Sequence, residues 1–287
     1  MATDPTQFTA RQRSDLRAQL HKALQSIQTD GATDNWSDVF VPTSHLQALS
    51  PERMVVEGMR GAGKSFWTGV LANPSLLKAL SSQPLGTDLK EALHSLKYSY
   101  AIALDNPSKS NFPSTSDLQG LLTLPGVTPE IIWCTAILML FEIDPSLGMP
   151  KSTDPYDLWT IPIAWAGKNA GRVARALELL DARFIKNKET ALVVFDALDR
   201  VSHELTEVSR ITAGLLRVML NLRFAKGLRL KAFIREDVLA QAGASVVDGS
   251  KLLNSKVTLQ WSQADLYGLA FYRIAQHSPA FRNHFSR

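Results

Sequence analysis

The spacing of apolar positions divides the chain into short strands and amphipathic helices. Over residues 9–28, Leu16, Leu20, Leu24 and Ile27 recur at helical spacing and predict an amphipathic helix. Residues 29–35 are polar, contain Gly31, and predict a loop between this arm and the rest. Residues 54–57 read as a short strand, a glycine-rich loop follows, and residues 66–71 open a helix. Residues 98–104 predict another strand, and the Ser-, Pro- and Asn-rich stretch 105–117 a surface loop. Residues 131–141 are apolar enough for a buried core helix, whereas 144–171, interrupted by Pro145, Pro150, Pro155 and Pro162, read as irregular. Residues 171–185 return to helical spacing, with Val173, Leu177, Leu180 and Phe184 on one side. The unbroken apolar run 191–195 predicts a central strand buried on both faces. A helix over 205–224 carries the stripe Val208, Ile211, Leu215, Met219 and Leu222, and a strand at 230–234 follows. A last strand is expected at 256–261, and Ser262 with Asp265 forms a capping pattern before a helix over 266–275. Strands alternating with helices predict an α/β fold: a three-layer core with a mostly parallel sheet flanked by helices. The expected division is an N-terminal helical arm, 1–37, and one larger domain, 38–287.

Composition narrows the class. Hydrophobic residues make up 45% and charged residues 20%, which suits a soluble protein with a sizeable core. The single cysteine, Cys134, excludes an intramolecular disulfide framework and a cysteine-based zinc site, and its apolar surroundings predict a buried free thiol. Residues 1–9 are polar with no apolar segment after them, and the 131–141 run is well short of the roughly 20 residues that a membrane helix needs. A cytoplasmic protein without membrane contact is therefore expected. The net charge of +4 is uneven: residues 201–287 hold 12 Lys+Arg against 6 Asp+Glu, which leaves residues 1–200 at −2. A nucleic-acid or acidic-partner surface and a plain solvated basic face both produce such a tilt. The absence of a dense Lys/Arg run favours the solvated face.

The sharpest signal is Gly58-Met59-Arg60-Gly61-Ala62-Gly63-Lys64-Ser65, which satisfies G-x-x-x-x-G-K-[ST] at every position. Glycines let backbone amides close around a β-phosphate. Lys64 brings a mobile positive charge to the β- and γ-phosphates, and the Ser65 hydroxyl is a hard oxygen ligand for Mg2+. The helix that follows, opening near Phe66, turns its N-terminal amides towards the phosphates. A strand before and a helix after are the context that the motif requires. The chain is therefore expected to be a P-loop NTPase that binds and hydrolyses ATP, with GTP the less favoured nucleotide.

Such a site also needs a carboxylate at the end of an apolar strand near the metal. Asp196, closing Ala191-Leu192-Val193-Val194-Phe195, fits that place and predicts a Mg2+ partner. Asp199, three residues on, either orients the attacking water or serves as a helix N-cap or a partner for Arg200. The segment Phe40-Val41-Pro42 with His45 either passes by the adenine or packs in the core.

This pair of motifs resembles the STAND class of ATPases, in particular its NACHT branch. There a small residue follows the magnesium aspartate and another acid lies two positions further on, as Ala197 and Asp199 do here. Asp196-Ala197-Leu198-Asp199-Arg200 also resembles the KAP family, which usually has a second acid where Ala197 stands and often carries membrane helices. NACHT-type sequences commonly continue Asp-Glu after the magnesium aspartate, whereas Arg200 follows Asp199 here. Leu230-Lys231-Ala232-Phe233-Ile234-Arg235 resembles the sensor strand of these ATPases, which implies that Arg235 reads the γ-phosphate; an ion pair with Glu236 or Asp237 is the other reading. The resemblance covers roughly residues 38–275. It implies a regulatory ATPase in which ATP switches a conformation or an assembly, as a homo-oligomer or with a partner protein, in bacterial defence or signalling. A DNA-associated motor or clamp, a small-molecule kinase and a non-hydrolysing scaffold are the alternatives.

Overall fold

The computed structural model describes residues 9–25, 35–36, 39–104, 111–142, 144–154 and 156–277. In chain order the elements are α1 (Ala10–Gln25), α2 (Leu46–Leu49), β1 (Val55–Glu57), α3 (Lys64–Ala72), α4 (Pro74–Ser81), α5 (Thr87–His94) and β2 (Leu96–Ala103). Then come α6 (Thr115–Leu121), α7 (Pro129–Met139), α8 (Thr160–Lys168), α9 (Ala170–Lys186) and β3 (Thr190–Asp196). The last are α10 (Leu205–Asn221), β4 (Leu228–Ile234), α11 (Glu236–Ala244), α12 (Ser250–Leu253), β5 (Val257–Thr258) and α13 (Gln263–His277). Two compact units are present, Gln47–Leu259 and, separately, Met1–Leu46 with Gln260–Arg287. No helix among the described residues is long and apolar enough to cross a membrane.

The larger unit is the predicted α/β core. Its five strands run in the order β2-β3-β4-β1-β5, and every pairing is parallel. Parallel strands need crossover helices, which cover both faces of the sheet. Alternate residues therefore enter two different cores. Val55, Val193, Phe195, Leu230, Ala232 and Ile234 join the large cluster that α7, α9, α10 and α11 supply. Val56, Leu192, Val194 and Phe233 are equally buried on the other face, where α3 crosses β2, β3 and β4. Trp133 anchors the first core: its indole N–H donates to the Ile211 carbonyl at 2.9 Å, and Phe112 stacks on its ring.

Several local readings change. Residues 72–95, left unassigned by periodicity, hold two helices; α4 has Pro74 in its first turn and the Asn73 side chain capping Ser75 and Leu76. The stretch 144–171 is not wholly irregular, because α8 accommodates Pro162 in its first turn, where the missing N–H costs no helical hydrogen bond. The predicted strand at 256–261 shrinks to Val257–Thr258, at the sheet edge beside β1. Of the predicted loops 29–35 and 105–117, residues 29–34 and 105–110 lie outside the described residues, and the second loop gives way to α6 from Thr115; Ile27 and the side chains of Leu16, Leu20 and Leu24 also lie outside them.

In the smaller unit α1 lies against α13. The expected cap is present, with the Asp265 amide donating to Ser262 Oγ at 3.0 Å. The ring of buried His45 packs edge-on against Trp261, with centroids 4.7 Å apart, and Phe40 packs on Tyr272, which is the packing alternative for that segment.

One buried charge stands out in the core. Lys231 is fully enclosed, and its ammonium donates to the carbonyls of Ala48 (2.9 Å) and Arg53 (2.5 Å), tying the approach to β1 onto β4. Burial, and secondarily the charge of Arg53, lowers its pKa from 10.5 to about 7. Between these two values the unfolded chain keeps a proton that the folded chain has released, so stability rises with pH across that window, by at most about 1.4 kcal/mol per pH unit. Urea unfolding followed from pH 7 to 10 is expected to show this rise, and Lys231→Met to flatten it. An equal slope in the variant would refute the assignment.

Candidate functional site

The glycine loop leaves the carboxyl end of β1 and enters α3. Its first residue is pinned, with the Gly58 amide donating to the Ile234 carbonyl at the end of β4 (3.1 Å). A side chain at position 58 would press on Ala62 and Leu259, both 3.2 Å from the added carbon. Gly61 (φ +83°) and Gly63 (φ +98°) take left-handed backbone, which glycine adopts without strain. Trp67 is buried in the first turns of α3, and the Phe66 ring packs edge-on against it at 5.1 Å, so Phe66 offers the loop its backbone rather than its ring. Met59 and Arg60 are exposed on the loop, and Ala62 is buried within it.

Lys64 reaches back across the loop, donating to the carbonyls of Gly58 (2.8 Å) and Met59 (2.7 Å). Its pKa is lowered, first by desolvation. Asp196, Asp199 and Glu236 oppose that shift through their negative charge, and Arg235 adds to it. At the carboxyl ends of β1, β3 and β4, three carboxylates and one guanidinium thus act through their charge on one lysine. Ligands of open α/β sheets bind at this end.

Asp196 is buried at the end of β3. The next residue, Ala197, has φ +56°, a left-handed conformation that large or branched side chains resist. The chain then turns through Leu198–Arg200, a short 3-10 segment that carries Asp199. Asp199 does not cap α10, whose N-cap is Glu204, and its ion-pair partner is Arg235 rather than Arg200. Arg235 Nη1 donates to Asp199 Oδ2 at 2.9 Å, while Nε and Nη2 grip Asp237 at 3.1 and 2.7 Å. The Asp199 bond, and then the Asp237 bond, raise the Arg235 pKa further. Of the two sequence readings of Arg235, the ion pair is present, with Asp237 as its partner, and a second pair joins it to Asp199.

Ser65 and Asp196 are hard oxygen donors of the kind that Mg2+ takes. Ser65 is exposed in the first turn of α3, and Asp196, buried at the end of β3, acts through its charge on Lys64, the residue before Ser65. The predicted residues from three separated segments thus gather at one end of the sheet. Two participants, Asp237 and Glu236, entered the sequence reading only as alternative ion-pair partners of Arg235, and the pair is with Asp237. Glu236, which acts on Lys64, has no motif that marks it. Compared with known proteins, the chain matches no family model, no curated protein and no solved structure.

Proposed function

We propose that this chain is a cytoplasmic P-loop ATPase that binds ATP with Mg2+, hydrolyses it, and uses the bound state as a conformational or assembly switch. The observation that carries this reading is the gathering of Lys64, Asp196, Asp199 and Arg235 around one glycine loop. Residues 58–66 would wrap the phosphates with backbone amides, and Lys64 would exchange its loop carbonyls for phosphate oxygens. Ser65 and Asp196 would hold Mg2+, which supplies charge neutralisation between the β- and γ-phosphates. Asp199 would take a proton from the attacking water as the new oxygen–phosphorus bond forms and ADP leaves. Arg235 would read the γ-phosphate.

A regulatory role is favoured over a DNA motor because the basic charge of residues 201–287 is spread out rather than gathered. A small-molecule kinase is the second reading. A cleft of about 800 Å³ opens beyond β2 and β3, lined by Phe112, Trp159, Arg200 and His203, with room for a phosphate acceptor. Phosphate release is the deciding assay, run alone, with DNA and with co-purifying proteins, alongside light scattering in ATP, ADP or no nucleotide. The switch predicts Mg2+-dependent release and a mass or partner association that changes with ATP. Unchanged mass with strong stimulation by DNA would select the motor, and release seen only when a small acceptor is phosphorylated would select the kinase.

A further inference from the structure

Arg235 uses its guanidinium in two directions. One edge, Nε and Nη2, is clamped by both carboxylate oxygens of Asp237, a fork geometry that fixes the plane of the group. The other end, Nη1, makes a single bond to Asp199 Oδ2. The two ends differ in strength: a two-point contact holds the group, and a one-point contact links it to the acid. The Asp199–Arg235 pair is about one-third exposed on each side, 33% and 35%, so its bond is weak enough to exchange. Arg235 directly follows Ile234, whose carbonyl accepts from the Gly58 amide at 3.1 Å, so the pair stands beside the glycine loop.

We infer that the Asp199–Arg235 ion pair is a gate that the γ-phosphate opens, with Asp237 as the positioning residue that keeps Arg235 aimed at it. Without a third phosphate, Nη1 holds the carboxylate that hydrolysis requires. A γ-phosphate carries more charge and offers more acceptor oxygens than one carboxylate, so it takes Nη1 and leaves Asp199 free to accept a proton from water. The gate rests on the nucleotide reading above and adds a competition that a simple γ-phosphate sensor lacks. The acid becomes available only when there is something to hydrolyse.

Competition and simple repulsion make different predictions. Neutralising Asp199 would ease γ-phosphate binding under either, but only competition requires Arg235. Calorimetric affinities for ADP and ATPγS, each with Mg2+, would be measured for the wild type, Asp199→Asn, Arg235→Ala and the double variant. Asp199→Asn is expected to tighten ATPγS by about two- to fivefold, the range for a part-exposed ion pair, and to leave ADP unchanged. In the Arg235→Ala background that gain is expected to vanish. A gain of equal size in both backgrounds, or none in either, overturns the gate. Asp237→Asn is expected to shrink the preference for ATPγS over ADP towards that of Arg235→Ala, and Asp237→Glu to restore part of it. A preference untouched by Asp237→Asn removes the positioning role. A wild-type chain that binds neither nucleotide refutes the nucleotide reading, and the gate with it; normal binding with additive variants refutes the gate alone.

Discussion

Lys64→Ala is expected to weaken ATP–Mg2+ binding by on the order of a hundredfold or more while the chain stays folded. A hydrogen bond to a charged group contributes about 1.5–3 kcal/mol, and the lysine would make such bonds to two phosphates. The variant's fold should tolerate the change, because one of the two carbonyls that Lys64 now satisfies, that of exposed Met59, can turn to water. Desolvation lowers the Lys64 pKa, and the carboxylates of Asp196, Asp199 and Glu236 act against that shift. An ammonium kept charged there by acids has a clear use as a counter-ion for phosphates. Calorimetry gives the affinity, and thermal unfolding reports the fold. Unchanged affinity would remove the phosphate-loop assignment and everything built on it.

Asp199→Asn is expected to lower the turnover rate by on the order of 10²–10⁴, the usual cost of losing a general base. Nucleotide binding should survive. Asparagine keeps an oxygen that can accept from Arg235 Nη1, so the turn Leu198–Arg200 keeps its tie to β4. What disappears is the capacity to hold a proton. Single-turnover phosphate release with saturating ATP isolates this step from binding. A normal rate would leave Asp199 as a structural partner of Arg235 and nothing more.

The sequence made the loop legible because its chemistry is local: eight consecutive residues state the whole requirement. β3 and its closing acid were also legible, since a strand buried on both faces shows as a continuous apolar run. The pairing of Asp199 with Arg235 was not legible. It joins residues just beyond the ends of the adjacent strands β3 and β4, and their proximity follows from sheet order, which periodicity does not encode. Nor is the strand between β1 and β3 legible: it is β4, which follows both motifs in the chain, while the interval between Lys64 and Asp196 supplies only β2, at the sheet edge. Lys231 was hidden for a different reason. A lysine in a strand pattern reads as a solvent-facing position, and only the carbonyls of Ala48 and Arg53 make its burial tolerable.

Strand order also sets when the glycine loop can take its folded form. β1 is only three residues long, and both its neighbours come late in the chain: Val55 lies opposite Ala232, and Val56 opposite Val257. Contacts so distant in sequence close last, because loop-closure entropy must be met before they stabilise anything. During synthesis β2 and β3 can pair while β1 still waits for partners that have not been made. The glycine loop, written early in the message, is thus among the last parts of the fold to take shape, and a chain halted before β4 would carry the motif without the geometry around it.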